Sequence, residues 1–276
     1  DSNGRELRGR GWDDLCPLWD DDGQAYIIAS NFGKRWFPHI YKMSWDGTQL
    51  LDGLIDKDSD MSKNMEIIGG YVVKPFRTAE ANKLYKWNGM YYIYFSEVRN
   101  IHGNRVRVPV MRRSKSIYGP YDEQLLMHSQ GKSVDKEPNQ GSIIDTKDGG
   151  WYFVTHHGTG DFDGRVLSVL PVNWKDNWPH IGKDSDNDGV GEMVWEMQKP
   201  LYGQEAMEIQ TSDFFDSSQL GHQWEFNHQP RHDKWSLHER KGFLRLHAFS
   251  QLRKDDFFST GNVLSQRYIR WGKGEA

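Results

Sequence analysis

Apolar residues fall along the chain in short runs of aromatic and β-branched side chains, separated by clusters of Gly, Asp and Asn. No window of 11 or more residues combines the i, i+3, i+4, i+7 apolar spacing of an amphipathic helix with capping residues. The pattern predicts strands joined by turns, and so an all-β fold. One unit recurs: a polar turn ending in Gly leads into an aromatic strand at DDDGQAYIIAS, at KWNGMYYIYFS and at TKDGGWYFVTH. The turn glycines Gly23, Gly89 and Gly149 stand 66 and 60 residues apart. A further strand ending in a polar turn follows each one, in HIYKMSWDG, RVPVMRRSKSIYGPY and RVLSVLPVNW. Antiparallel units repeated in this way predict β-propeller blades, and a period longer than the common one of about 40 to 50 residues leaves extra length for loops. Three such units, with a fourth in the stretch to Pro200, fall short of a ring, since propellers have about 4 to 8 blades. The same periodicity also admits a β-sandwich of similar hairpins.

After Pro200 the texture changes. LYGQEAMEIQTSDFFDSS reads as a linker, and EFNHQP, WSLHE and GFLRLHAF read as strands of a new all-β unit. The boundary is placed at 207/208, giving a propeller domain over residues 1–207 and a second domain over 208–276. The first residues, DSNGRELRGRGWDD, carry no initiator Met and no leader pattern, and QRYIRWGKGEA ends on an unfinished strand pattern. The chain is expected to be part of a longer protein.

Composition narrows the function. The 276 residues suffice for a core without disulfide or metal staples. A single cysteine, Cys16, rules out an internal disulfide and a cysteine-based zinc or iron-sulfur site. A net charge of −4 with no basic block argues against nucleic acid as a partner. No run of about 18 apolar residues offers a membrane span. Aromatics make up 13% of a chain whose mean hydropathy is −0.82, a combination unlike disorder and suited to sugar binding.

Several residues carry candidate chemistry. Asp13 and Asp14 precede the first Gly-aromatic hairpin, where a carboxylate tunes another carboxyl's ionisation, whereas Asp20, Asp21 and Asp22 read as turn formers. Glu80 lies nine residues before Gly89 in a stretch without other acidic residues, and burial beside Phe76, Tyr85 and Trp87 would suit it to acid catalysis. A solvated surface Glu is the plainer reading. Gln140, His156, His157 and Arg165 cluster around the third aromatic strand, where they suit hydroxyl or ion binding or simple hydrogen-bonded structure. Asp184, Asp186, Asp188 and Gly189 match the start of a calcium loop, but Trp195 stands where the closing Glu belongs, so an acidic turn is favoured. No phosphate-binding glycine loop, G-x-S-x-G elbow or H-E-x-x-H is present.

With these residues in hand, the stretch from Gly11 to Pro200 resembles glycoside hydrolase family 43, five-bladed propeller enzymes acting on xylosides and arabinofuranosides. The likeness rests on GWDDLCPLWDDDGQAYI, TAEANKLYKWNGMYYI, RSKSIYGPY, NQGSIIDT, GGWYFVTHHGTGDFDGR and LPVNWKDNWPHIGKDSDNDGVGE, in that order. It implies a five-bladed β-propeller, incomplete here, followed by part of a concanavalin-like β-sandwich that begins near residue 211. By the same likeness Glu80 is the general acid, although Ala81 replaces the family's Gly, and Asp14 modulates that acid's pKa. His156 resembles the histidine at a central ion, with His157 as second claimant, and Arg165 the arginine at the −1 subsite. Trp12, Trp36 and Gln140 are added as sugar-contact candidates, a core role being equally open for each tryptophan. The family's general base has no counterpart before Asp13, so this chain is expected to lack it and to be inactive alone.

The implied activity is inverting hydrolysis of terminal xylose or arabinofuranose from plant cell-wall glycans. No cofactor is needed for the chemistry, one structural calcium ion is admitted, the partner is a xylo- or arabino-oligosaccharide, and the substrate implies a secreted or periplasmic location. A noncatalytic carbohydrate-binding propeller is the alternative.

Overall fold

The computed structural model describes residues 12–31, 37–55, 67–73, 79–101, 103–128, 138, 140–158, 165–203, 205, 212–227, 229–249 and 262–266. The chain divides into two compact units, Asp1–Tyr202 and Gly203–Ala276. The expected boundary at residues 207 and 208 lies outside the described residues.

The first unit contains three successive four-stranded antiparallel sheets. The first sheet orders β1 (Trp12–Trp19), β2 (Ala25–Asn31), β3 (Phe37–Met43) and β6 (Tyr71–Val72). Between β3 and β6 in the chain, β4 (Gly53–Ile55) and β5 (Ile67–Gly69) pair with each other. The second sheet is a meander of β7 (Ala79–Trp87), β8 (Met90–Ile101), β9 (Asn104–Ser114) and β10 (Asp122–Leu125). The third repeats it with β11 (Gly141–Asp145), β12 (Trp151–Gly158), β13 (Arg165–Lys175) and β14 (Trp178–Ile181). These are the blades that the repeated turn and strand predict, and the all-β propeller class is the one found.

Turn chemistry opens each blade. The clearest case is the β7–β8 hairpin, where Asn88 (φ 49°) and Gly89 (φ 72°) alone separate the paired Trp87 and Met90. Two left-handed residues in a two-residue loop make the type I′ turn that matches the twist of the flanking strands, and Asn-Gly is the sequence that adopts it.

The middle blade is buried on both faces. Side chains alternate along a strand, so Ile93 and Phe95 on β8 join Ile28 and Ile40 of the first blade in one apolar cluster. Tyr92 and Tyr94 point the other way and pack with Ile143, Phe153, Leu170 and Val172 of the third blade. That arrangement explains why MYYIYF reads as an unbroken apolar run where a half-buried strand would alternate. A polar clamp adds to the first seam: buried Asp20 takes hydrogen bonds from Lys86 and Tyr91 of the second blade, and Lys86 also reaches Asp21. Burial alone would raise the Asp20 carboxyl, but these bonds outweigh it and hold it at about 2.

In the second unit β15 (Trp224–Phe226) pairs with β18 (Leu264–Gln266), and β16 (Trp235–Ser236) with β17 (Arg245–Leu246). Trp224 Nε1 donates to Asp213 Oδ2 at 2.7 Å.

Candidate active site

Each blade has a hairpin end, where its first two strands turn, and an opposite end. Asp14, Glu80, Gln140 and His156 all lie at the opposite end, as does Arg165, the first residue of β13. The backbone at this end departs from regular strand geometry in two adjoining places. The β1–β2 register shifts between Asp13 and Cys16, and the β7–β8 register shifts between Glu80 and Lys83. Asp14 and Ala81 sit at these bulges with φ of 50° and 66°, the left-handed region that costs a residue bearing Cβ about 1–2 kcal/mol. Ala81 stands where the family has Gly, and it holds the backbone conformation that favours Gly.

The two bulges are tied to each other. The Ala81 amide donates to Asp14 Oδ2 at 2.6 Å, so the aspartate fixes the peptide that follows Glu80. Fully buried Asn82 donates through Nδ2 to Ser30 Oγ at 2.8 Å and to the Asp14 carbonyl at 3.3 Å. Ser30 in turn donates to the Ala79 carbonyl at 3.0 Å, and the Leu84 amide reaches Cys16 Sγ at 3.3 Å. Glu80 is thus flanked on both sides by backbone anchored to the first blade. Its carboxylate pairs with Arg107 Nη1 of β9, and the two side chains are 21% and 26% exposed, open enough to meet a ligand.

This geometry revises part of the sequence expectation. Trp87 is not a neighbour of Glu80, since it lies at the far end of β7, and Phe76 lies outside the described residues. Tyr85 bonds to Ser142 Oγ at 2.9 Å and accepts the Ile143 amide at 3.0 Å, facing the third blade. The group that meets Glu80 is Arg107. Asp14 acts on the backbone beside Glu80, through the Ala81 amide.

The remaining candidates divide. Trp12 stacks on Tyr41, with centroids 5.0 Å apart and planes at 30°, and packs against the cluster of Ala25, Met43 and Leu50. Trp36 lies outside the described residues, and so does the side chain of Arg165, whose backbone pairs with Gly158. Gln140 is half-buried, and its carbonyl accepts Thr155 Oγ1 at 3.0 Å. His156 and His157 face opposite sides of β12. His156 Nδ1 is buried, whereas His157 Nδ1 meets Ser168 Oγ at 2.9 Å and its ring stands edge-on to Trp195. Among the described residues no set of three His, Cys, Asp or Glu ligand atoms includes His156. The set that does gather is His128, Asp186 and Asp188, with His128 Nε2 2.6 Å from Asp188 Oδ2. The acidic loop otherwise spends its carboxylates on itself, Asp184 accepting the Gly189 amide at 3.1 Å and Asp188 the Val190 amide at 2.8 Å.

The sequence model of glycosyl hydrolases family 43 matches residues 11–179, which hold every strand of this site. The chain belongs to that family. A model of the β-xylosidase C-terminal concanavalin A-like domain matches residues 212–270, within the second unit. Among curated relatives, a β-xylosidase of Formosa agariphila is 34% identical over 96% of this chain and 49% of its own length. A non-reducing end α-L-arabinofuranosidase of Bacteroides ovatus, BoGH43B, is 28% identical over 81% of this chain and 46% of its own. This family 43 chain therefore spans about half the length of the curated relatives it matches. Among solved structures, the GH43 protein BlXynB of Bacillus licheniformis superposes with a TM-score of 0.67 at 23% identity, covering 92% of this chain and 46% of that one. A bifunctional GH43-CE protein of Bacteroides eggerthii gives 0.63 at 25% identity, over 94% and 30%.

Two members of this family 43 site were not singled out from the sequence. Arg107 belongs to RVRVPV, where Arg and Val alternate, and period-two spacing puts the arginines on one face of β9, which β8 separates from β7. Asn82 carries no comparable signal, because its role depends on a bulge that turns it toward Ser30.

Proposed function

We propose that the whole protein is an exo-acting glycosidase that removes terminal xylose or arabinofuranose from plant cell-wall glycans with inversion. Glu80 protonates the leaving glycosidic oxygen, while a carboxylate supplied outside this chain activates water on the opposite face of the sugar, the division of labour of inverting enzymes. Asp14 is a positioning residue: by holding the Ala81 amide it sets the direction of the Glu80 side chain. Arg107 orients the same carboxyl from the side of β9, and Arg165 with Gln140 contacts the sugar. The observation that carries this reading is the pair of tied bulges, which puts a half-exposed carboxyl next to strained, cross-anchored backbone within a family 43 chain. Strain of this kind persists only where surrounding structure fixes it, and it concentrates at functional sites. A cell-wall glycan is met outside the cytoplasm, which accords with secretion or a periplasmic place.

The test is hydrolysis of 4-nitrophenyl β-D-xyloside and α-L-arabinofuranoside by the full-length protein and its Glu80→Gln variant, with NMR of the first-formed anomer. Turnover that Glu80→Gln abolishes, with an inverted product, is the expected result. Undiminished turnover in Glu80→Gln would remove Glu80 from the mechanism. Binding of xylo-oligosaccharides without turnover in either protein would favour a noncatalytic propeller.

A further inference from the structure

The strands that carry the candidate site end, on their other side, in tryptophan. Glu80 and Trp87 stand seven residues apart on β7, about 20 Å at the rise of a strand. His156 and Trp151 occupy the same relation on β12, and Arg165 and Trp174 on β13. The three tryptophans converge where the hairpin ends of the second and third blades meet, around a cavity of about 210 Å³. Trp87 and Trp174 lie against each other with centroids 4.1 Å apart and planes at 30°. Trp151 stands across both, at 70° and 79°, with centroids 5.6 and 5.4 Å away. Buried Tyr92, Met111 and Ile143 form the floor. All three tryptophans are only half-buried, and each lines the cavity.

The polar groups around this cavity are few and distinct. Asp145, directly opposite Trp151 in the β11–β12 ladder, is exposed and is the acidic residue among those lining the cavity. Lys86 also lines the cavity, but its ammonium is held by Asp20 and Asp21. Trp174 Nε1 is buried with no hydrogen-bond partner among the described residues, a cost that the packing of the aromatic wall alone does not explain.

We propose that this cavity is a second carbohydrate subsite, separate from Glu80, that holds one neutral sugar ring of a xylan-type oligosaccharide. The volume is below the roughly 300–1,000 Å³ of pockets for drug-sized ligands and matches a single ring better than a peptide or an acyl chain. An indole wall is apolar on its face and polar at its edge, and it packs against the C–H face of a pyranose. The ring's hydroxyls then lie toward Asp145, the acceptor. An aromatic cage with a carboxylate also suits a quaternary ammonium. Here, however, Trp87 and Trp174 cover one face of each other and Trp151 stands edge-on to both, so the three indoles do not surround one point as a cage requires. The choice of xylan-type sugar rests on the glycosidase reading above, whereas the cavity itself does not. Two holds on one polymer raise the effective concentration of chain ends at the catalytic site.

The experiment is native gel electrophoresis of the full-length protein in soluble arabinoxylan, with Asp145→Ala, Trp151→Ala and Glu80→Gln variants, alongside fluorescence titration with xylotriose and with choline chloride. Parent and Glu80→Gln should be retarded equally, while Trp151→Ala loses retardation by about tenfold, the size of one lost aromatic contact. Asp145→Ala should lose about threefold, as expected for one exposed hydrogen bond, with 4-nitrophenyl glycoside turnover unchanged. Because Asp145 is on the surface, its variant remains informative if Trp151→Ala fails to fold. Parent-like retardation in folded pocket variants, no retardation of the parent, or a fluorescence response to choline but not xylotriose would each overturn the proposal. Loss of retardation in the pocket variants of a protein without glycosidase turnover would keep this site and remove the catalytic reading.

Discussion

The two ends of the second blade are built from the same four strands under opposite rules. At the hairpin end the β7–β8 ladder is unbroken, Asn88 and Gly89 supply a local two-residue turn whose Asn88 side chain donates to Asn177 Oδ1 at 2.8 Å, and tryptophans and tyrosines fill the space between blades. At the Glu80 end the β7–β8 ladder is broken at Ala81 and the adjoining β1–β2 ladder of the first blade at Asp14, both residues adopt left-handed backbone, and polar groups from the first blade hold β7 in place. Both ends are tied to neighbouring blades, but only at the Glu80 end do those ties hold a break in the strand ladder. The contrast separates two kinds of geometry: regular turns and packed seams at one end, and cross-anchored left-handed backbone at the other.

That contrast can be broken at several points. Glu80→Gln should lower kcat of the full-length enzyme by about 10²–10⁴, the usual contribution of a general acid, with an unchanged melting temperature. Asp14→Ala should lower kcat by about 10²-fold through misplacement of Glu80 and also cost about 1–3 kcal/mol, because the Ala81 amide loses its acceptor. A purely structural role for Asp14 would show the second effect without the first, so the measurement pairs kcat with urea denaturation.

At the hairpin end the effects are on stability alone. Asp20→Asn should cost about 2 kcal/mol near neutral pH, from a carboxyl held at about 2 against the usual 3.8. A lowered folded-state pKa stabilises above the unfolded value, so the difference between parent and variant should shrink as pH falls from about 4 toward 2. Urea midpoints across that range check it. Gly89→Ala should cost about 1 kcal/mol and leave turnover intact, because an added Cβ meets nothing within 4 Å and the penalty is only that of left-handed backbone.

The same division governs what the sequence revealed. Hairpin ends are local: Gly at the turn, aromatics in period two and Asn-Gly between strands together announced the three blades without long-range information. Glu80 stood out as a lone carboxyl before an aromatic strand, but its spacing alone favoured a solvated surface residue, and the acid role came from the family resemblance. Its surroundings were not legible, because they assemble across blades. Nothing in the spacing of Asp14 and Ala81 says that the amide of one meets the carboxylate of the other 67 residues away. Proximity along the chain also misled, since Trp87 is close to Glu80 in sequence and at the far end of the strand in space. Trp12 shows the converse, an aromatic beside the candidate Asp14 that the fold stacks against Tyr41.

The two-sided burial of β8 has a consequence for the order in which the molecule opens. A strand clasped by apolar clusters on both faces is released only when both neighbouring seams separate, so its amides should be among the last to exchange with solvent deuterium. Exchange should begin at the short outer strands β6, β10 and β14. Glu80 pairs with Ser96 of β8. The carboxyl therefore stands on β7, laddered directly to this slow-opening strand, and its aim should survive the local openings that loosen the blade margins.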